Sequence, residues 1–293
     1  MSLAPPADGA LLVVVGPTAS GKSALALDLA ARFDGEIVGA DSVQVYRRFD
    51  AGSGKPSAEE RARVPHHLLD VADPSEPMDA ARFVALADAA IADVRSRGKL
   101  PIVCGGSFLW VRALLHGLAD APPADDALRA RLAAEAVRDG RGALHARLAL
   151  VDPEAAARLA PNDFVRVSRA LEVWELTGQT ISDRQRAHGF AEVRHKAQMV
   201  GVQRTSLELA ARIEARTRAF LAAGWIDEVR ALVEAGLRDA RAMHAVGYRQ
   251  VLDHVEGRLP LAELAPAIDQ ATRVFARRQR TWLRDRGVTW TAP

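Results

Sequence analysis

A chain of 293 residues can bury one large core or two smaller ones, and a 49% hydrophobic share is that of a folded protein, not a disordered one. No apolar run approaches the length of a bilayer crossing, and residues 2–9 lack the basic stretch that opens a secretory leader, so the expectation is a cytoplasmic protein without a membrane span. A single cysteine, Cys104, excludes an internal disulfide, while a pI near 9.0 and local crowding of arginines point to an acidic partner.

In chain order, Leu11 to Val15 read as a buried parallel strand, followed by Gly16-Pro17-Thr18-Ala19-Ser20-Gly21-Lys22-Ser23. That octet fits G-x-x-x-x-G-K-[ST] at every fixed position, and residues 23–32 carry leucines and alanines at helical spacing, so the strand, loop and helix the motif needs are all present. Such a loop turns backbone N–H groups inward at a helix N-terminus and cradles an anion. Lys22 would meet the outer phosphate, and the Ser23 hydroxyl would be free to ligate Mg2+. The motif indicates a polyphosphate without saying which one.

Residues 36–40 form a second strand that delivers Asp41-Ser42-Val43-Gln44 to its carboxyl end, where open α/β sheets place their ligands. Two glycines and a proline within residues 50–56 predict a loop over the site. In the extended segment 65–70 the adjacent His66 and His67 point to opposite faces, which favours structural roles for both. Residues 78–97 predict a helix with Phe83, Ala87, Ile91 and Val94 on one face. A buried strand over 100–104, in which Cys104 reads as a small core residue, then runs through Gly105-Gly106-Ser107 into a helix over 108–115. Two such strand-to-helix turns are the grammar of a doubly wound parallel sheet, and the absence of an internal repeat argues against a solenoid.

Beyond Gly117 the texture becomes alanine- and arginine-rich with helical spacing and no strand until Ala197 to Val202, which predicts an inserted helical subdomain and a return to the sheet. A long helical run is expected over 206–235. Within it Ile213, Arg216 and Phe220 share one face, placing an arginine on the apolar stripe: either it snorkels from the stripe's edge or it meets a bound phosphate. Residues 244–249 predict a tight turn into a helix. Residues 272–286 hold six arginines against one aspartate, with Trp282 among them; this is either a solvated basic face or a grip on a phosphate backbone with a ring for base stacking.

Several of these stretches, in this order, resemble one family over nearly the whole chain, the tRNA dimethylallyltransferases. The carriers are residues 16–23, 40–46, 50–56, 65–70, Gly105-Gly106-Ser107, 169–173, 245–250 and 278–283. The resemblance implies an α/β fold with a P-loop NTPase-like core and a mainly parallel sheet, interrupted by an all-helical subdomain. The core would take residues 1–117 and 195–293, the second part bearing basic tRNA-binding helices, and the insertion 118–194 would bear contacts to the anticodon arm.

The implied reaction is transfer of the dimethylallyl group from dimethylallyl diphosphate to N6 of an adenine next to the anticodon, in tRNAs reading codons that start with U. The resemblance assigns Asp41 as general base, with Lys22 and Arg216 acting on the leaving diphosphate. It makes Gly16, Pro17, Thr18, Ala19, Ser20, Gly21, Lys22 and Ser23 the diphosphate loop, with Mg2+ at Ser23. The implied partner is the anticodon stem-loop, met by a monomer through Asp41, Ser42, Val43, Gln44, Ser107, Arg129, Asn162, Asp163 and Arg166. Further contacts are implied at His244, Gly247, Tyr248, Arg249, Arg277, Arg278, Gln279, Arg280, Trp282 and Arg284. Ser107 stands where the family usually has threonine, and Asp163-Phe164-Val165-Arg166 where it commonly reads Asp-Arg-Gln-Arg, which removes polar groups from that stretch. A P-loop kinase holding ATP in the same cradle is the competing enzyme, and a non-catalytic RNA-binding protein leaves the cradle and Asp41 without a task.

Overall fold

The computed structural model describes residues 3–7, 9–284 and 287–291. β1 (Leu11–Val15) is aliphatic throughout and fully buried. Leu11, Val13 and Val15 enter one apolar cluster while Leu12 and Val14 enter another, so both faces of this strand are covered, as the centre of a parallel sheet requires. α1 (Lys22–Arg32) packs Ala26, Leu27, Leu29 and Ala30 on the second face. β2 (Gly35–Ala40), α2 (Ala58–Arg63) with a Ser57/Glu60 capping box, and β3 (His66–His67) follow. α3 (Ala80–Ser96), capped by Asp79, buries Phe83, Ala87, Ile91 and Val94. β4 (Leu100–Gly105) and α4 (Phe108–His116) complete this stretch.

Five helices come next: α5 (Asp126–Asp139), α6 (Arg141–Val151), α7 (Pro153–Arg158), α8 (Phe164–Thr177) and α9 (Ile181–His188). They enclose a small core of Leu132, Leu144, Leu148, Val167 and Leu171. The buried Asp152 joins two of them, its Oδ1 accepting from Ala155 N at the start of α7 and its Oδ2 from Ser182 N in α9. The chain returns through β5 (Ala197–Val202), α10 (Ser206–Ala222), α11 (Trp225–Glu234), α12 (Tyr248–Val255), α13 (Leu261–Leu283) and β6 (Thr289–Thr291).

The six strands form one parallel sheet in the order β3-β2-β4-β1-β5-β6. This is an α/β, P-loop NTPase-like core. Two compact units are present, Met1–Leu115 with Arg194–Pro293, and His116–Val193. No helix among the described residues is long and apolar enough to cross a membrane.

The single helix expected over 206–235 is two helices. Gly224 adopts φ +89°, a left-handed conformation that ends α10 and starts α11 in a new direction. The paired histidines go to separate structural partners. His66 Nδ1 lies 2.8 Å from Val64 O, and His67 Nε2 lies 2.7 Å from Oε2 of the buried Glu36, which also pairs with Arg97. Cys104 is half-buried, and burial pushes its thiol up to about 11, so it stays protonated and inert at neutral pH.

Candidate active site

The ends of β1, β2 and β4 border a cavity of about 540 Å³. Thr18 lines it from the loop after β1, Lys22 and Ser23 from the first turn of α1, Asp41 to Gln44 from the turn after β2, and Gly106 and Ser107 from the turn after β4. The loop is gripped from behind. Arg212 Nε donates to Ala19 O at 2.7 Å and Arg204 Nε donates to Ser20 O at 3.2 Å, so two carbonyls of the loop are held by cations that do not line the cavity. Ser20 is fully buried, and its Oγ has no hydrogen-bond partner among the described residues.

Lys22 and Arg216 converge on this space from opposite sides in the sequence. Burial depresses the pKa of both, with Arg216 adding to the depression of Lys22 and the Asp41 carboxylate opposing it at each. Among the described residues neither lies in an ion pair with a carboxylate. Two desolvated cations without a paired counter-ion are costly alone, and an anion in the cavity would offset that cost. Arg216 therefore does not snorkel: its guanidinium stacks over Phe220, 4.7 Å from the ring centroid, and its Nη2 faces Ser53 O at 3.5 Å.

Asp41 is half-buried, and its Oδ1 accepts from Val43 N at 2.9 Å and from Gln44 N at 3.3 Å. Its Oδ2 has no hydrogen-bond partner among the described residues, which leaves one carboxylate oxygen able to take a proton. Ser107 Oγ accepts from Ser42 N at 3.0 Å and so joins the turns after β2 and β4. The Gln44 amide donates to Ser53 O and Gly54 O, at 3.2 and 2.8 Å, in the loop that roofs the cavity.

The residues expected at RNA divide. His244, Arg249, Arg277, Arg278, Arg280 and Arg284 are exposed, and Arg278 also lines the cavity. Three others lie inside the protein. Gln279 is buried, its Oε1 accepting from Thr18 N at 2.8 Å and its Nε2 donating to Gly106 O at 3.0 Å, so it ties α13 to both glycine-rich turns; the Thr18 N–H is thereby already used. The Tyr248 hydroxyl donates to Glu228 Oε1 at 2.7 Å, and Gly247 is buried where a Cβ would stand 2.3 Å from Trp225. Gln279 and Tyr248 face inward because helix periodicity turns them from solvent, a register that basic composition alone does not reveal, while Gly247 precedes α12 and is closed in by Trp225. Trp282 is half-buried and stacked on Phe108 at 4.3 Å, so one ring face is taken. In the helical unit, Asn162 and Arg166 are exposed, Asp163 caps α8 by accepting from Arg166 N, and Arg129 is held by Glu172.

Arg204, Arg212, Trp225 and Glu228 escaped the sequence reading. Glu228 carried a readable signal, since it falls on the face of α11 that buries Trp225, Val229 and Leu232.

A glycine loop after a central parallel strand, a half-buried lysine opening the next helix and a carboxylate at the end of the neighbouring strand are the arrangement of a protein with a P-loop NTPase-like core. The family model described as IPP transferase matches residues 44–286. The chain is 62% identical to a tRNA dimethylallyltransferase of Sorangium cellulosum over 99% of its length and 93% of that relative. It is 49% identical to one of Geobacter metallireducens, covering 96% of this chain and 91% of that one. Among solved structures it is similar to the tRNA isopentenylpyrophosphate transferase of Bacillus halodurans (TM-score 0.71, 37% identity, 97% and 90% of the two chains). It is also similar to a eukaryotic dimethylallyltransferase solved acting on tRNA (TM-score 0.80, 25% identity, 96% and 73%). The chain belongs to the IPP transferase family, which sets the kinase reading aside.

Proposed function

We propose that this protein is a tRNA dimethylallyltransferase, moving the dimethylallyl group of dimethylallyl diphosphate to N6 of an adenine beside the anticodon. The observation that carries the reading is the convergence of Lys22 and Arg216, half-buried cations with no ion-pair partner among the described residues, on the cavity that Asp41 also lines. The N6 lone pair is delocalised into the purine, so the amine becomes nucleophilic as its proton leaves. Asp41 Oδ2 takes that proton while N6 bonds to C1, the C1–O bond breaks and diphosphate departs.

Charge growing on the leaving group meets Lys22, Arg216 and the N-terminus of α1 where it develops. No cluster of three His, Cys, Asp or Glu able to hold a metal occurs among the described residues. That suits Mg2+, which keeps most of its water and leans on substrate phosphates. The Ser23 hydroxyl, exposed at the cavity, would hold it, and the ion would supply further neutralisation of the diphosphate. The adenine leaves its stack to reach Asp41, as enzymes acting on bases require. The exposed arginines of α13 hold the anticodon stem-loop of a cytoplasmic tRNA reading a codon that starts with U.

The test is incubation with labelled dimethylallyl diphosphate and unmodified tRNA, with ATP as a competing donor. Label should enter the RNA with release of pyrophosphate. Asp41→Ala should lower the rate by about three orders of magnitude with tRNA affinity retained. Unlabelled RNA beside consumed ATP would overturn the reading.

A further inference from the structure

The loop that roofs the cavity, residues 50–54, is held by Glu228, which lies outside the cavity lining, and by Tyr248, which is part of it; neither has a role in the transfer step above. Glu228 Oε2, on α11, accepts from Asp50 N at 2.8 Å and Ala51 N at 2.6 Å, while its Oε1 accepts the Tyr248 hydroxyl at 2.7 Å. The same hydroxyl accepts from Gly52 N at 3.3 Å. Burial and the neighbouring Glu228 charge push the Tyr248 phenol well above its ordinary range, so it stays a donor at any working pH. Three consecutive loop N–H groups are thus fixed by one carboxylate and one phenol, and the bonds to the carboxylate are charge-assisted.

The far side of the loop faces the diphosphate groups. Gly54, at φ +66°, lies so close to Arg216 that an added Cβ would stand 2.6 Å from Nη2, and Ser53 O meets the same atom. Behind Arg216, Phe220 packs edge-on against Trp225, whose ring lies where a Cβ on Gly52 would be. Shifting the loop therefore shifts the guanidinium.

We infer that Glu228 and Tyr248 are positioning residues: they set the loop, and through Ser53 and Gly54 the loop sets Arg216 against the diphosphate. The inference rests on the transferase reading above. Initial rates of Glu228→Ala, Glu228→Gln, Tyr248→Phe and Gly54→Ala, varied in each substrate and with inorganic pyrophosphate as product inhibitor, test it.

Glu228→Ala should raise KM for dimethylallyl diphosphate and the inhibition constant of pyrophosphate on the order of tenfold, with tRNA affinity unchanged. Glu228→Gln should recover most of this, since an amide oxygen still accepts both loop N–H groups. Tyr248→Phe should show the same pattern at about threefold. Gly54→Ala leaves Glu228 intact and should reproduce the full split, which decides the matter if Glu228→Ala does not fold. A folded Glu228→Ala or Gly54→Ala enzyme with wild-type KM for the diphosphate overturns the inference. So does equal loss toward both substrates without rescue by glutamine. If wild type itself leaves tRNA unlabelled, it is the transferase reading that fails.

Discussion

The two units use arginine in opposite ways. In the helical unit, Glu172 is 1% exposed and its two oxygens take Arg129, Arg169 and the Asp125 N–H. A second group joins Arg131 and Arg147 to Glu135 and Glu175. These arginine side chains stay partly in water, and each has a carboxylate partner inside the unit. In the sheet unit Arg216 and Lys22 are half-buried and desolvated, and among the described residues neither has a paired carboxylate. A neutralised cation holds helices together, whereas a desolvated one without a carboxylate partner is suited to meet an anion. The arginine-rich texture of the chain therefore carries function only where the local ledger of charge fails to close.

The sharpest way to break this contrast is Arg216→Ala. Removing a donor aimed at developing charge should cost about 3 kcal/mol in kcat/KM for dimethylallyl diphosphate and leave stability near wild type or above it, because a desolvation cost disappears. Unchanged steady-state kinetics would reduce Arg216 to a packing residue.

The converse applies to Glu172→Ala. It should destabilise the helical unit by about 2 kcal/mol, a value moderated by the exposure of its arginine partners. The chemistry of the sheet unit is untouched. Faster amide exchange confined to α5 and α8 is the readout. Burial alone would raise the Glu172 carboxyl, but hydrogen bonds from Arg129, the Asp125 N–H and Arg169 outweigh it and hold the group below the ordinary carboxylate range. A depressed folded value means that its stabilisation is complete above the unfolded pKa and disappears as pH falls through the folded one. The acid limb of a stability profile should thus flatten in the variant. A limb of unchanged steepness would show the pair to be without consequence.

Legibility followed the range of the interaction. β1, β5 and the phosphate loop could be read because a buried strand and a glycine turn are local patterns, and the stripe position of Arg216 was readable because helix periodicity is local as well. The break at Gly224 went unread: helical spacing resumes on both sides, and a left-handed glycine looks in sequence like any other. What escaped altogether depends on distant pairs. Thr18 and Gln279 are 261 residues apart, and Asp50 and Glu228 are 178 apart. Nothing in composition joins them until the sheet order is known. Even so, a glutamate beside Trp225 and Val229 on one helix face obeys the rule that singled out Arg216, and a consistent search for charges on apolar stripes finds both.

The smallest predicted effect concerns the exposed arginines of α13, which stand between the two cases. Arg280 donates to Ser206 Oγ, whereas the exposed side chains of Arg277 and of Arg284, which follows the last residue of α13, have no hydrogen bond or ion pair among the described residues. Being solvated, they carry no desolvation cost, and their lack of a partner is a weaker sign of a ligand than that of Arg216. A phosphate backbone would still displace counterions from them. Replacing both with glutamine should lower the slope of log affinity for tRNA against log salt by about one to two units. It should leave kcat at saturating tRNA unchanged, because neither residue approaches the transferred group. A wild-type slope would move the RNA to another face and leave these arginines as a solvated helix surface.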